Sequence, residues 1–516
     1  MVWSLETSNG NETAKIRWEL PEYTRGRVLD LGCGTNKGFP HFIGVDNGHH
    51  EQFGYKITPD VAVKTCEDLS VFANQSCDAV YSSHLLEHIE NTKAALKEWW
   101  RVLKNGGHLC LYLPHKSFYP NIGEKGANPD HKHDFLPEDI VAVMREIGSW
   151  DLVRNEDRSD GDEYSFFQVF RKLSGGKCVE SYKNPKPEKT ACICRFGAFG
   201  DNLMASSVAA GLKKQGFHVT YIGSEPGLDV IRHDPRIDKF ITLDKDQVPN
   251  ASLPEYWAHL KKKYDRFVNL SESVEGTLLA LPGRLNDTWP DAVRRKMMGS
   301  VNYLEFQHDL AGVPHEPAVK FYATDEEKAW ARKQRAQMGP FVILWSLAGS
   351  SVHKTWAGLD QVMARIFLTF PEANVVLCGG PECVILEAGW ENERRVLCTS
   401  GKWSIRQSLA FLEVADLVIG PETGVMNGAS CMDVPKIIFL SHSSHTNLTR
   451  DWVNCHPLHA DASVKCYPCV RLHYGWARCN KDEEAGVAKC QSNISPDAVW
   501  AVVERVMAGK LKKRAA

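Results

Sequence analysis

Two glycine-containing turns, each directly after an apolar strand, constrain the fold more than any other feature of the sequence. The first turn lies in VLDLGCG and ends at Gly34, and the second lies in RFGAFGD and ends at Asp201. Glycine at the end of a strand lets the chain turn sharply and lets a ligand approach the backbone closely. Only the second turn has an aspartate directly after its last glycine. We therefore expect two ligand-binding modules with different chemistry.

Length and composition favour several globular domains and an enzyme rather than a nucleic-acid or membrane protein. At about 150 residues per domain, the 516 residues divide into roughly three folding units. The charged fraction of 24% and the formal net charge of -3 imply neither nucleic acid nor a membrane as partner. The apolar runs are far shorter than a membrane-spanning helix, and the first residues lack the pattern of a signal peptide. Most of the 16 cysteines stand singly in apolar strands, which is typical of a reducing compartment, so we expect a cytoplasmic protein.

Apolar strands alternate with amphipathic helical patterns along most of the chain, which predicts α/β domains with parallel sheets. The stretch SGGKCVESYKNPKPEKT has no periodicity and is rich in Gly, Pro, Lys and Ser, which predicts a linker. One series of strands precedes this stretch, and two series follow it. We predict a Rossmann-like domain over residues 1–173, a linker over 174–189, and two further Rossmann-like lobes over 190–335 and 336–516. We also expect the helix that begins in TKAALKEWW to end at Gly106 and Gly107.

Acidic residues follow the first turn at positions that suit a nucleoside. The second strand ends in Asp46, which is placed to accept hydrogen bonds from ribose hydroxyls, and Asp68 after the next strand is placed to face an adenine amino group. The spacing GCGTNKG does not fit the GxGxxG register of dinucleotide-binding folds. The pattern therefore disfavours an ordinary dinucleotide site.

Residues 26–145 resemble class I S-adenosylmethionine-dependent methyltransferases of the type 11 kind. The resemblance rests on VLDLGCG, Asp46, CEDLS, DAVYSSHLLEHI and EWWRVLKNGGHLCLYLP. It implies S-adenosylmethionine as cofactor, bound by Gly32, Gly34, Asp46, Asp68, Leu69 and Ser83. His84, Glu87 and His88 lie where the cofactor helix of that family starts, and they are either structural and cofactor-lining residues or catalytic ones.

Methyl transfer from an activated sulfonium is mainly a matter of positioning, and only a hydroxyl acceptor needs a base. The candidate bases are His131 and His133 in GANPDHKHDF, because they follow the fourth strand and histidine titrates near neutrality. The alternative is that this polar segment caps the helix that starts near Pro137. The two histidines have no clear third partner in the sequence for a metal site.

Residues 190–505 resemble glycosyltransferase family 9, the ADP-heptose:lipopolysaccharide heptosyltransferases, which have two Rossmann-like lobes in the GT-B arrangement. The resemblance rests on RFGAFGDNLMASSVAAGLKK, SLAGSSVHKTWAGLD, VVLCGGPE, ADLVIGPETGVMNGASCMDVPKIIFL and the CYPCV region. It implies an acceptor lobe followed by a donor lobe, with a nucleotide-diphospho-sugar as donor. It also implies a glycan or lipid-linked saccharide as acceptor, with at most peripheral membrane contact.

Asp201 is the candidate catalytic base of this second module. A carboxylate where the turn opens into a helix can take the proton of the acceptor hydroxyl. The hydroxyl oxygen then attacks the anomeric carbon from the face opposite the nucleotide. Such an attack inverts the anomeric centre. The alternative is an acid that only stabilises the N-terminus of the helix.

The donor lobe must neutralise the charge that develops on a nucleoside diphosphate leaving group. Lys354 matches the Lys-x-Trp signature of the family, and hydroxyls of Ser350 and Ser351 lie close to it in sequence. The predicted donor-binding residues are Ser350, Lys354, Glu422, Thr423 and Gly424, the last two at the N-terminus of a helix that suits a diphosphate. Glu422 and Asn427 stand where the family commonly has Asp and His, which leaves the donor sugar open. No divalent metal is required.

Four cysteines near the end of the chain are Cys466, Cys469, Cys479 and Cys490. Their number and spacing suit either a structural zinc site or packed free thiols.

Together these features predict a bifunctional glycan-modifying enzyme of surface polysaccharide or lipopolysaccharide synthesis, which transfers a methyl group and a sugar. The alternative is an active methyltransferase whose second module has degenerated and only binds a glycan or a nucleotide. A pure scaffold is disfavoured because Gly32, Asp46, Asp201 and Lys354 are all intact.

Overall fold

The structure is a computed structural model that describes residues 11–50, 55–182, 187–317 and 319–515. The chain forms two compact units. The first unit comprises Met1–Glu188 and Leu243–Lys263, and the second comprises Lys189–Thr242 and Tyr264–Ala516. Residues 183–186 of the predicted linker lie outside the described residues, and two of its other residues, Val179 and Glu180, form a strand.

The first unit is built on an eight-stranded sheet flanked by helices. The described strands of this unit, of which β3 and β4 lie outside the sheet, are β1 (Val28–Leu31), β2 (Ile43–Asp46), β3 (His49–His50), β4 (Tyr55–Lys56), β5 (Val61–Ala62), β6 (Cys77–Ser83), β7 (Leu103–Pro114), β8 (Trp150–Arg158), β9 (Ser165–Lys172) and β10 (Val179–Glu180). Its helices before the linker are α1 (Thr13–Ile16), α2 (Thr92–Val102) and α3 (Pro137–Arg145).

The strand order of this sheet is β10-β8-β9-β7-β6-β1-β2-β5. All neighbouring strands pair in parallel except β9, which is antiparallel to both β7 and β8, and β3 and β4 form a separate antiparallel pair. Every residue of β1 is buried, as expected for a central strand covered on both faces. On α2, Ala95, Leu96 and Trp99 repeat at helical spacing and are fully buried in the core.

The end of α2 differs from the prediction. The helix ends at Val102, and Leu103 already pairs with Cys77 in the sheet. The pairing then jumps to Ala79 opposite His108, so residues 104–107 form a bulge that absorbs both glycines. Gly106 has a φ of +82°, and a Cβ on Gly107 would lie 2.6 Å from the backbone oxygen of Asp78. The glycines thus permit a tight helix-to-strand passage rather than ending the helix.

The second unit begins with a four-stranded parallel sheet in the order β13-β12-β11-β14. Its strands are β11 (Thr190–Cys194), β12 (His218–Gly223), β13 (Lys239–Thr242) and β14 (Arg266–Asn269). The helices between the first three strands are α4 (Phe199–Ala205), α5 (Val208–Lys214) and α6 (Glu225–Asp229).

Between β13 and β14 the chain contributes a segment to the first unit. This segment contains α7 (Leu253–Lys263), and the amide nitrogen of the Gln247 side chain donates to the carbonyl oxygens of Pro21 at 2.6 Å and Thr24 at 3.1 Å. Arg25 and Asp244 form an ion pair at 2.9 Å. Residues 243–263 therefore interrupt the predicted first lobe in sequence.

The rest of the second unit holds a six-stranded parallel sheet in the order β17-β16-β15-β18-β19-β20. The strands are β15 (Phe341–Ser346), β16 (Ala373–Cys378), β17 (Val396–Cys398), β18 (Leu417–Pro421), β19 (Lys436–Phe439) and β20 (Cys455–Leu458). The helices are α8 (Asp291–Met298), α9 (Tyr303–Ala311), α10 (Asp325–Arg335), α11 (Leu359–Thr369), α12 (Ile405–Phe411), α13 (Gly424–Ala429), α14 (Lys489–Ser492) and α15 (Pro496–Ala515).

The predicted α/β class is confirmed. Numbered along the chain within the sheet, the six strands follow the 3-2-1-4-5-6 order of Rossmann-type folds, and the four-stranded sheet follows 3-2-1-4. In the first unit, β5-β2-β1-β6 follow the same 3-2-1-4 order. Among the described residues, every helix is too short or too polar to cross a lipid bilayer.

Candidate functional site

In each of the three sheets the first strand lies between the second and the fourth, and this reversal of strand order opens a crevice beyond the carboxyl ends of strands one and four. In the first unit the crevice lies between β1 and β6, so Gly32 and Ser83 border it. In the second unit, β11 and β14 define one such point and β15 and β18 define another. Asp201, Lys354 and Thr423 follow β11, β15 and β18, so the fold places the predicted residues where ligands bind in folds of this type.

The first glycine turn is organised by a buried aspartate. Gly32 and Gly34 have φ angles of +67° and +52°, which favour glycine. The carboxylate of Asp46 accepts hydrogen bonds from the backbone N–H of Gly34 at 3.1 Å and of Gly48 at 3.0 Å. A Cβ on Gly32 would lie 2.9 Å from the Leu85 side chain, so a larger residue is disfavoured at this position by both its φ and its neighbour. The predicted Gly32, Gly34 and Asp46 therefore form one structural group.

The other predicted cofactor residues have less in common. Leu69 is fully buried, and its backbone N–H donates to the Glu98 carboxylate at 3.2 Å. Asp68 is exposed, and its hydrogen bonds from Ser70 lower its pKa. Ser83 is half-buried at the end of β6. Leu69 has an apolar side chain within the core and the Ser83 hydroxyl is buried, whereas the Asp68 carboxylate is exposed.

A cavity of about 270 Å³ lies against the glycine turn. It is lined by Cys33, Gly34, Thr35, Lys37 and residues 57–60, so Gly34 is the one predicted cofactor residue in its wall. A Cβ on Gly34 would meet no atom within 4 Å, which shows that this side of the turn is open. The Lys37 ammonium forms an ion pair with Asp60 at 2.8 Å in the same wall.

The predicted base His131 is buried and lies beside Glu87. Its ring is 4.8 Å from the ring of His88 and 5.5 Å from the ring of Tyr119, centre to centre. Burial, with the neighbouring His88, lowers the pKa of His131 to about 4, so its imidazole is neutral at neutral pH and accepts a proton less readily than an ordinary histidine. The predicted base His133 is half-buried, with Nε2 3.1 Å from the Glu90 carbonyl oxygen and its ring stacked on Phe135.

In the second unit, Asp201 belongs to a cluster of three charged side chains. Its carboxylate accepts a hydrogen bond from the Ala198 N–H at 2.9 Å and lies 3.7 Å from the buried guanidinium of Arg195. Arg195 also donates to the carboxylate of Glu275, which comes from the loop after β14. A Cβ on Gly197, whose φ is +151°, would lie 3.1 Å from the Asp201 carboxylate, so Gly197 leaves room for that side chain.

This cluster prepares Asp201 to hold a proton. Burial and the nearby carboxylate of Glu275 raise the pKa of Asp201. Burial also opposes ionisation of Glu275, but its contact with Arg195 outweighs that effect and lowers its pKa. Sequence reasoning missed Glu275; the signal available was an acid after the fourth strand of the same sheet as Asp201.

Lys354 brings a positive charge close to Asp201. Within the described chain its ammonium has no hydrogen-bond or ion-pair partner, and its side chain is half-buried. The positive charge lowers the pKa of Asp201 slightly, against the larger effects of burial and Glu275, which places the two groups within electrostatic reach. Ser351 is buried with an unpartnered hydroxyl, whereas the predicted Ser350 is exposed.

Glu422 and Thr423 are held by the protein itself. One oxygen of the buried Glu422 carboxylate accepts hydrogen bonds from the backbone N–H groups of Ser441, His442 and Ser443 at 2.6 to 3.2 Å. Burial alone would raise the pKa of Glu422, but the pair with His442 at 2.8 Å holds it well below its usual range. The Thr423 hydroxyl lies 3.0 Å from the Ser346 hydroxyl and caps α13 by accepting from Met426 N–H at 3.3 Å. These contacts order the loop at the end of β18.

The N-termini of α4 and α13 touch through glycine. A Cβ on Gly200 would lie 2.8 Å from the Cα of Gly424 and from the Asn427 amide, and a Cβ on Gly424 would collide with the Phe199 ring. Gly200 thus leaves room for a neighbouring helix, while Gly197 leaves room for the catalytic candidate. This contact brings the carboxyl-end regions of the two sheets together.

The four C-terminal cysteines lie near one another but do not gather as metal ligands. Burial raises the pKa of Cys469 to about 12, and the neighbouring thiols Cys466 and Cys479 contribute to the shift. Across the described ranges, three or more His, Cys, Asp or Glu ligand atoms lie within 4.8 Å of one another only at Glu87, His88 and His131.

Comparison with known proteins agrees with the sequence for the first unit. Residues 29–111 match the family model for a methyltransferase domain, which confirms the predicted resemblance there. No curated protein sequence matches the chain.

Several solved structures are similar to this chain at low identity. A family 9 glycosyl transferase from Veillonella parvula is 16% identical, with 63% of this chain and 99% of that chain covered and a TM-score of 0.47. The ADP-heptose lipopolysaccharide heptosyltransferase II of E. coli is 12% identical, with 62% and 99% covered and a TM-score of 0.43. A complex of the Haloferax volcanii Trm112 methyltransferase activator with a candidate methyltransferase is 19% identical, with 31% and 89% covered and a TM-score of 0.26. The first unit of this chain thus carries a methyltransferase domain at residues 29–111.

Proposed function

We propose that the chain is a bifunctional transferase that modifies a surface polysaccharide or lipopolysaccharide. The first unit transfers a methyl group from S-adenosylmethionine, and the second transfers a sugar from a nucleotide-diphospho-sugar with inversion. The observation that carries the second half is the cluster of Asp201, Arg195 and Glu275 at the N-terminus of α4, where the positive charge of Lys354 also acts on Asp201. The link between the two activities rests on their fusion in one chain.

The residues at the first turn fit S-adenosylmethionine. Positive φ angles at Gly32 and Gly34 let the backbone approach a ligand, and the Gly34 side of the turn opens into a cavity. Asp46 ends β2 beside the glycine turn and accepts from the N–H groups of Gly34 and Gly48, and its carboxylate is the group assigned to the ribose hydroxyls. The cofactor supplies an activated methyl group, and the protein orients the acceptor.

For a hydroxyl acceptor, one of the predicted bases must take the proton. His131 and His133 both come from the loop between β7 and α3, close in sequence to each other and on the carboxyl-end side of the sheet. His131 is neutral at neutral pH because burial lowers its pKa. General-base catalysis of this kind contributes about 10² to 10⁴-fold.

In the second unit, Asp201 is assigned as the base and Lys354 as the diphosphate ligand. Asp201 takes the proton of the acceptor hydroxyl as the hydroxyl oxygen attacks the anomeric carbon. The bond between that carbon and the diphosphate breaks on the opposite face. Lys354 neutralises the charge that develops on the leaving group. Ser350, Thr423 and Gly424 are assigned to the same donor site. Glu422 is assigned to positioning the loop at the end of β18, because its carboxylate is occupied by backbone N–H groups.

The methyl-transfer half is tested by titrating the full chain with S-adenosylmethionine in a calorimeter. Asp46→Ala should abolish binding, because it removes both the ribose acceptor and the anchor of the glycine turn. Asp160→Ala, an exposed aspartate of the same unit, is the matched control and should bind normally. Undiminished binding by Asp46→Ala would refute the cofactor assignment.

The glycosyl-transfer half is tested with a panel of nucleotide-diphospho-sugars. The full chain should hydrolyse or transfer from at least one donor, and Asp201→Ala should reduce that rate by about 10² to 10⁴-fold. Asp309→Ala, an exposed aspartate on α9, should keep the rate. A chain that binds nucleotides but turns over no donor would favour the alternative, an active methyltransferase with a binding module.

A further inference from the structure

Three potential metal ligands from two separate segments converge in the first unit. Glu87 and His88 belong to a short 3-10 turn over Leu86–His88 that follows β6, and His131 comes from the loop between β7 and α3. Both segments lie beyond the carboxyl ends of neighbouring parallel strands. The fold therefore brings together residues that are more than forty positions apart in the sequence.

The distances suit a single ion. One ligand atom of each residue lies within 4.8 Å of the other two. The Nε2 atoms of His88 and His131 are 3.9 Å and 4.0 Å from the same carboxylate oxygen of Glu87, and the two rings are nearly perpendicular. Ligand atoms about 2.1 Å from a tetrahedral zinc ion are roughly 3.4 Å apart, so small side-chain shifts would close the site.

Glu87 has an unmet need for a positive partner. Its side chain is fully buried, and neither carboxylate oxygen accepts a hydrogen bond from another residue of the described chain. A buried carboxylate without a partner is costly, and protein carboxylates in such places are usually paired or bind a metal. Among the residues that the structure describes, no lysine or arginine pairs with Glu87, and its carboxylate lies within 4.0 Å of the histidines His84, His88 and His131.

The backbone holds this arrangement in place. The N–H groups of Lys132 and His133 both donate to the carbonyl oxygen of Glu87, at 2.7 Å and 3.2 Å. The loop that carries His131 is therefore fixed to the turn that carries Glu87. His84 approaches the same carboxylate oxygen, with Nδ1 3.6 Å from Glu87 Oε1, and its Nε2 lies 2.9 Å from the hydroxyl of Ser165.

We propose that Glu87, His88 and His131 bind one divalent transition-metal ion, for which Zn²⁺ is the best match. Two imidazoles and one carboxylate are the ligand set of catalytic zinc sites, whereas Mg²⁺ and Ca²⁺ prefer oxygen ligands throughout. Three protein ligands leave one coordination position for an oxygen of water or of a hydroxylated acceptor. The binding of an acceptor at this position rests on the proposed methyl transfer. Because His131 would be a metal ligand, His133 would be the remaining candidate base.

The site is tested on the full chain after removal of metals with a chelator. Titration with Zn²⁺ against a chromophoric competitor should give about one tight site, and Glu87→Gln, His88→Asn and His131→Asn should each weaken binding more than 100-fold. Loss of an outer ligand partner already costs about 10 to 100-fold, so loss of a direct ligand should exceed that. His41→Asn, an exposed histidine of the same unit, should bind like the unchanged chain. If the three variants bound Zn²⁺ as tightly as the unchanged chain, the proposal would be overturned.

A measurement without substitutions guards against variants that fail to fold. X-ray absorption at the zinc edge of the unchanged chain should show nitrogen and oxygen neighbours with the scattering of two imidazoles. Sulfur neighbours would assign the ion to cysteines and overturn the proposal. Zinc binding by a chain that does not bind S-adenosylmethionine would refute the methyl-transfer function and leave the metal site standing.

Discussion

The two glycine turns occupy the same place in their sheets but use their carboxylates differently. In the first unit, Asp46 ends the second strand and binds backbone N–H groups of the turn itself. In the second unit, Asp201 lies inside the helix after the turn and faces a second carboxylate, Glu275, across Arg195. The carboxylate of Asp46 is an acceptor for the turn, and the carboxylate of Asp201 lies beside a like charge that raises its pKa.

The difference teaches that strand order determines where a site forms, whereas the neighbours of the acid determine what it does. An aspartate surrounded by N–H donors suits binding of hydroxyl groups. An aspartate beside a like charge has a raised pKa and suits proton transfer near neutrality. Four experiments test this contrast, in order of decreasing expected change in free energy.

Lys354→Met should reduce kcat/KM for the nucleotide-sugar by about 100-fold, because the ammonium stabilises charge that develops on the leaving group. Binding of S-adenosylmethionine should not change. Steady-state kinetics with varied donor measures the first effect, and calorimetry measures the second. Lys402→Met, an exposed lysine of the same unit, is the control, and equal rates for the two variants would contradict the assignment.

Gly200→Ala should destabilise the second unit by about 2 kcal/mol, because its Cβ would meet the Cα of Gly424 at 2.8 Å. Gly34→Ala should cost about 1 kcal/mol, because its Cβ meets nothing and only the positive φ is strained. Scanning calorimetry of both variants compares the two turns. A larger loss for Gly34→Ala would reverse the interpretation of the two glycines.

Glu275→Gln should move the pH dependence of sugar transfer towards acid. Removing the carboxylate next to Asp201 lowers the pKa of the base, so the rising limb of the profile moves to lower pH by about one pH unit. On the acid side of the profile, kcat/KM should therefore rise about tenfold. The profile of kcat/KM against pH checks this. Glu272→Gln, an exposed acid of the same loop, should leave the profile in place, and an unshifted profile for Glu275→Gln would exclude electrostatic tuning.

Asp201→Asn should stabilise the fold at alkaline pH while it stops sugar transfer. The raised pKa means that the folded state holds this proton more tightly than the unfolded chain, whose aspartates have a pKa near 4. Stability therefore falls as pH rises from about 4 through the raised pKa, and the uncharged amide avoids that loss. We expect a gain of about 1 kcal/mol near pH 8 and little gain near pH 4 in urea unfolding. A loss of stability near pH 8 would contradict the raised pKa.

Much of the fold could be predicted because it depends on local periodicity. Buried strands such as β1 and β15 and the two glycine turns were visible as patterns in the sequence, whereas two residues of the predicted linker, Val179 and Glu180, pair with β8 in the first sheet. The position of Gly32 and Asp46 at carboxyl ends of strands, and of Asp201 in the helix that follows one, could be read from the alternation of strands and helices. Their predicted ligand contacts stay predictions.

Other features depend on which distant segments meet, and no local pattern contains that information. Glu275 becomes relevant because β14 lies beside β11, and His131 because its loop bonds to the Glu87 carbonyl. The end of α2 was predicted wrongly because its glycines serve a bulge that forms only when β7 pairs with β6. The sequence also gives no sign that residues 243–263, which lie between two stretches of the second unit, belong to the first unit.

That last feature has a consequence for how the fusion can be taken apart. The chain passes from one unit to the other after Glu188, after Thr242 and again after Lys263. A protease cut at the linker would therefore produce two fragments that do not correspond to the two units. The larger fragment keeps α7, which belongs to the first unit, and the smaller one keeps the residues that Gln247 and Asp244 bind. The two halves are joined as interleaved pieces, and a gene encoding either half alone would have to supply a substitute for the part it lacks.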